Sequence, residues 1–226
     1  MAVPLPLRLL VVPVVAAVVA AGVWVAGGLI SDDFTTSVAL TAAWFAIAAA
    51  VCALVGHRVR ALRVPLALGY LVTAVGVGGF LAWSTFHDRV VHERVAVGVP
   101  ASRLAAEPAR ARPLAVGPVQ LASGAFRSGE HETTGRAAIV RLPSGRLVVT
   151  LTRFRTSPGP DLRVRLVPGH ATRGDVAGNH DLGGLKGNIG NQQYDAPAGT
   201  RASRVSVVIW CRAFSATFGV AALRRS

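Results

Sequence analysis

Three long apolar runs near the start of the chain constrain it more than any other feature. Residues 9–30, 34–55 and 64–86 hold 22, 22 and 23 residues without a charge. At about 1.5 Å of rise per residue, each is long enough to cross a hydrocarbon core of about 30 Å as a helix. No water is present in that core to satisfy backbone N–H and C=O groups, so helix is the form such runs take. Three transmembrane helices are therefore expected. A cleaved signal peptide is rejected for the first run, which exceeds the usual apolar stretch of about 7–15 residues and is followed by two further spans.

The arginines orient these spans. The chain carries 24 basic against 11 acidic residues, a formal charge of +13, and Lys186 is its one lysine. The first inter-span link, Ser31-Asp32-Asp33, has no basic residue, whereas the second holds Arg58, Arg60 and Arg63. The positive-inside rule puts that second link in the cytoplasm together with Arg8 and the N-terminus. Everything after Phe86 is then extracytoplasmic. Arg89 and Arg94 pull the other way but are offset by Asp88 and Glu93. No Asp, Glu, His, Lys or Arg lies within the spans, which argues for an anchor rather than an ion path. The spans also lack the histidines that a b-type haem between helices needs. Gly76, Gly78 and Gly79 are expected to permit close helix packing.

Residues 87–116 contain Pro100, Pro108 and Pro113 among alternating Ala and Arg, and are expected to form an extended extracytoplasmic linker. From residue 117 the pattern becomes short apolar runs separated by Gly, Pro, Asn and Asp. Residues 135–142 and 146–154 flank Pro143-Ser144-Gly145, a hairpin signal. Leu162, Val164 and Leu166 alternate with Arg163 and Arg165, giving one buried and one wet face. Residues 205–211 are rich in β-branched residues, as a central strand is, and 217–223 pair with them. The fold expected is multi-domain: a three-helix transmembrane region, then an all-β domain over 117–226, β-sandwich or barrel-like.

Four motifs in this region occur in order. They are Gly124-Ala-Phe126 with His131 and Gly135; Phe154-Arg-Thr-Ser-Pro-Gly-Pro-Asp-Leu162; Leu185-Lys-Gly-Asn-Ile-Gly-Asn-Gln-Gln-Tyr194; and Val208-Ile-Trp-Cys211 with Phe214 and Phe218. Over roughly 117–224 the sequence resembles the DM-thirteen domain family, described as an electron-transfer domain and found in some eukaryotic chains beside DOMON and b-type cytochrome modules. The resemblance implies an extracytoplasmic all-β domain with a redox role centred on Cys211.

The residues carry their own reading beside it. Cys52 lies in the second span and Cys211 in the exported domain, so a disulfide between them is geometrically excluded. Cys211 is then either a redox thiol or soft ligand, or a small buried hydrophobe filling the core. Covalent c-type haem requires a Cys-x-x-Cys-His that is missing, and one thiol does not hold a four-cysteine iron–sulfur cluster. Non-covalent haem on Cys211 or His131, or copper with Cys211 and two of His131, His170 and His180, are the open cofactors. Lys186, Asn188 and their amide-rich neighbours either bind an anion, sugar or cofactor edge or satisfy their own turns. Asp161 either caps backbone N–H groups or lines a pocket at Cys211, with Trp210 adjacent.

No nucleophile elbow or phosphate loop is present, so no hydrolase or transferase chemistry is indicated. From residue 117 onward the chain has 15 basic and 6 acidic residues. An extracytoplasmic domain with arginines alternating along strands fits an anionic membrane surface and not nucleic acid. The Arg-, Ala- and Val-heavy usage reads as a bacterial high-GC genome. Two functions follow: an anchored electron-transfer or thiol-redox domain with a redox partner protein, or a non-enzymatic envelope-interaction module in which Cys211 is structural.

Overall fold

The computed structural model describes residues 4–31, 33–106, 117–172 and 178–226. They divide into two compact units, 1–86 with 213–215 and 87–212 with 216–226.

In the first unit α1 (Leu5–Gly28) and α2 (Phe34–Arg58) are continuous helices. Asp33 starts α2, its carboxylate accepting from the Thr36 N–H at 2.7 Å, which satisfies one of the orphan donors of a helix N-terminus. The third run is broken into α3 (Arg63–Thr73), a π-helical stretch over Ala74–Gly78, and α4 (Gly79–Phe86). All three segments, 5–28, 34–58 and 60–86, are long and apolar enough to cross a membrane. The glycines expected to bring helices together are not the ones that do. Gly76 and Gly79 face open space and Gly78 barely touches Phe45. Close approach occurs instead at Gly22, where a methyl group would overlap the Trp44 ring, and at Gly69, where it would press on the Val12 carbonyl. Trp44 Nε1 also donates to the Val19 carbonyl at 3.0 Å, tying α1 to α2.

The second unit is a two-sheet β-sandwich. Its strands are β1 (Val90–His92), β2 (Val99–Pro100), β3 (Val119–Ala125), β4 (Arg127–Ser128), β5 (Thr133–Arg141) and β6 (Leu147–Thr156). After them come β7 (Leu162–Pro168), β8 (His180–Gly184), β9 (Ile189–Asp195), β10 (Val205–Cys211), β11 (Ala216–Ala222) and β12 (Arg224–Arg225). One sheet runs β1-β9-β6-β5-β3-β12 with β2 on β3; the other runs β4-β11-β10-β7-β8. The β5–β6 hairpin turns at Gly145 (φ +85°), and β10 is flanked on both sides, by β7 and β11. Val164, Leu166, Val207 and Ile209 from one sheet, and Ile139, Val149, Leu151 and Phe154 from the other, are 0–2% exposed and form the core.

The expected tether is part of this domain as far as it is described. β1 adds in parallel to β9, β2 adds in parallel to β3, and a short helix α5 (Ala101–Ala106) follows. Prolines mark the segment as extended, and an extended segment with unused backbone donors can complete a sheet edge as readily as it can span solvent. Gly190 records the addition. It has φ +113°, and a side chain there would collide with the Val91 carbonyl, a conformation and an approach that only glycine tolerates. Residues 107–116 of the expected linker lie outside the described residues.

Candidate functional site

The candidate residues are spread over three places in the sandwich. Cys211 is the last residue of β10, in register with Leu162 on β7 and Ala216 on β11. Strand alternation puts it on the inner face with Val207 and Ile209, and it is 0% exposed. It forms no disulfide. A sulfur this fully buried is out of reach of solvent, so thiolate chemistry at it requires a local opening of the fold. Asp161 lies just beyond Leu162, where its backbone carbonyl accepts from the Arg212 N–H at 2.9 Å and its carboxylate from Arg212 Nε at 2.6 Å. It therefore ties Arg212, the residue after β10, to the start of β7.

His131, in the β4–β5 loop, stacks on Phe218 with ring centroids 3.9 Å apart. Burial holds its pKa below the usual 6.5, against the upward pull of Glu130, so the imidazole is neutral at pH 7. Beneath it Thr133 Oγ1 donates to the Phe218 carbonyl at 2.9 Å and accepts from Thr156 Oγ1 at 2.8 Å. Trp210 points to the outer face of its sheet, with Val208 and Val167, and the Arg165 guanidinium lies 3.6 Å from its ring centroid. That stacking was hidden by the alternation of Arg163 and Arg165, which reads as a solvated face; cation–π pairing makes such a face semi-ordered.

The segment from Lys186 to Tyr194 binds its own chain. Asn188, 4% exposed, accepts from the Arg89 N–H at 2.6 Å and donates to Asp88 at 2.7 Å and to the Thr156 carbonyl at 3.0 Å. Gln192, 0% exposed, accepts from the Lys186 and Gly187 N–H groups and from the Tyr194 hydroxyl, and donates to the Gly187 carbonyl. Burial pushes the Tyr194 pKa up to about 12, partly opposed by the hydrogen bond from the Lys186 N–H. Lys186 pairs with Glu93 at 2.7 Å, and Glu93 also accepts from the Gln193 N–H at 2.8 Å. The Lys186 hydrogen bond holds the Glu93 carboxyl below its ordinary value despite some desolvation. Buried polar groups hydrogen-bonded in this way rigidify their surroundings, and those of Asn188 lie at the seam between β1 and β9. Asp88 and Glu93 were missed because the sequence puts them about 100 residues away, in an apparent linker.

Residues 125–223 match the family model "Electron transfer DM13". No match to this chain was found among curated proteins or among solved structures.

The matched segment begins at the last residue of β3 and ends just after β11, so β1, β2, most of β3 and β12 lie outside it, toward the two edges of one sheet. Within the segment the cofactors left open by the sequence can be tested for fit. Copper would need Cys211 with two histidines. His180 pairs with Leu166, four positions along β7 from the Leu162 that opposes Cys211, hence about 13 Å away at ~3.3 Å per residue. His170 lies beyond that same end of β7, and both histidines are exposed. The copper set is thus not brought together. A haem on Cys211 fits no better, since a residue 0% exposed leaves no room for a macrocycle at its sulfur. Among the described residues no group of three or more His, Cys, Asp or Glu is arranged to hold a metal.

Proposed function

We propose that this chain is a membrane-anchored component of an electron-transfer system, with its β domain outside the cytoplasm and the redox cofactor on a partner protein. The observation that carries this reading is the DM13 match on a domain that follows three helices long and apolar enough to cross a membrane. The side is supported by the arginines of the link between the second and third spans. In this reading Cys211 is core packing, and the outer faces of the sandwich meet the partner.

A second reading gives Cys211 the chemistry itself, as a thiol that forms a mixed disulfide with a partner thiol, releasing two protons and passing two electrons to an acceptor. It is favoured by Cys211 being the β domain's single sulfur and the last residue of its strand, and it requires that strand end to open. Electron flux through membranes carrying the wild-type chain or the Cys211→Ala chain separates the two. Flux unchanged by Cys211→Ala supports the first reading, and flux abolished in a folded variant supports the second. No flux above that of membranes lacking the chain removes both and leaves a non-enzymatic envelope-interaction module.

A further inference from the structure

A groove of about 720 Å³ lies where the chain passes between the two sheets, from β3 to β4 and again from β11 to β12. The two crossings press together: a methyl group on Gly124 would collide with the Ala222 carbonyl. Glycine is therefore required at position 124, and Gly124, Ala125, Gly129, Ala171 and Ala222 give the groove a floor of small residues. The walls are cationic. Arg127, Arg136 and Arg224, from three different strands, line it together with His170, and the described lining contains no carboxylate.

These arginines are not consumed by the fold. Arg146, Arg163, Lys186 and Arg212 each pair with an Asp or Glu, whereas none of the three groove arginines pairs with a carboxylate among the described residues. All three are exposed. Arg136 donates to Ser123 Oγ at 3.2 Å, and Ser128 Oγ accepts from the Thr133 N–H at 3.1 Å. Both hydroxyls thus serve as acceptors, and each keeps its own proton to donate. The volume falls within the range of small-molecule sites, about 300–1,000 Å³.

We propose that this groove is an anion site for a phosphate-bearing ligand, either a lipid headgroup or a soluble phosphate compound. Guanidinium forks match phosphoryl oxygens bidentately. Three of them on one cavity exceed what a carboxylate, with two oxygens on one centre, can engage, while a phosphoryl group offers three. The site is independent of Cys211 and of the electron-transfer reading.

The test uses the full chain in a neutral detergent with inorganic pyrophosphate as probe, followed by titration calorimetry. Each arginine lost should weaken binding about tenfold, so Arg127→Gln/Arg136→Gln/Arg224→Gln should abolish it, with Arg224→Gln alone as a milder variant should the triple one unfold. Phosphatidic acid, a phosphomonoester with three terminal oxygens, in mixed micelles then distinguishes the sources: competition with pyrophosphate identifies a lipid headgroup, and pyrophosphate binding without competition identifies a soluble ligand. The proposal is overturned by binding of neither probe, by binding that survives the substitutions, or by displacement with chloride at matched ionic strength.

Discussion

Replacing Asn188 by alanine tests whether the amide-rich segment is a clasp or a binding site. The side chain makes three hydrogen bonds within the domain: from the Arg89 N–H, to the Thr156 carbonyl and to the Asp88 carboxylate. Two neutral bonds at about 1 kcal/mol each and one to a charged group at about 1.5 kcal/mol give roughly 3–4 kcal/mol. Relaxation and regained side-chain entropy reduce this to ~3 kcal/mol. At about 4 °C per kcal/mol for a domain of this size, the thermal midpoint of the full chain should fall by about 12 °C. Loss of the β-sheet circular dichroism signal reads this directly, since the spans contribute helix. Asn188→Asp keeps the acceptor but loses both donors and sets a second carboxylate against Asp88, so it should cost at least as much. A midpoint lowered by less than about 3 °C would refute the clasp and return Asn188 to the list of ligand contacts.

Other outcomes follow from the same contacts. Because burial depresses the His131 pKa, the unfolded chain binds its proton more tightly; stability is fully present above about pH 6.5 and falls as pH drops through the folded value. The loss of thermal midpoint from pH 7.5 to 5.5 should be smaller in His131→Phe than in the wild type. Glu93 titrates lower, so its pairing with Lys186 should persist to more acid pH and then be lost; Glu93→Gln should cost about 1 kcal/mol and speed hydrogen exchange at the Gln193 amide. A fragment of residues 117–226 lacks β1, Asp88 and Glu93, and should unfold well below a fragment of residues 87–226 in thermal melts. In a Cys52→Ala background, Cys211 should react with Ellman's reagent only at the rate of unfolding; rapid reaction of the native chain would favour the thiol-redox reading.

Legibility in the sequence divided along the range of the interactions. The spans, the β5–β6 hairpin, the half-buried β7 and the central β10 were readable because each depends on local periodicity and turn chemistry. The contribution of residues 87–106 was not, because β1 pairs with a strand about 100 residues later and its signal, a few β-branched residues before prolines, is that of any extended segment. The site residues divided the same way. Asn188 and Lys186 were visible as a dense polar cluster, but their partners Arg89, Asp88 and Glu93 were not. Cys211 was conspicuous as a sulfur, while its burial depended on three strands meeting around it.

The most direct test of the central claim is the rate at which right-side-out membrane vesicles reduce ferricyanide, an acceptor that stays outside. Vesicles containing the chain should reduce it faster than vesicles lacking it, and Cys211→Ala should leave that difference in place. Equal rates with and without the chain would contradict the account.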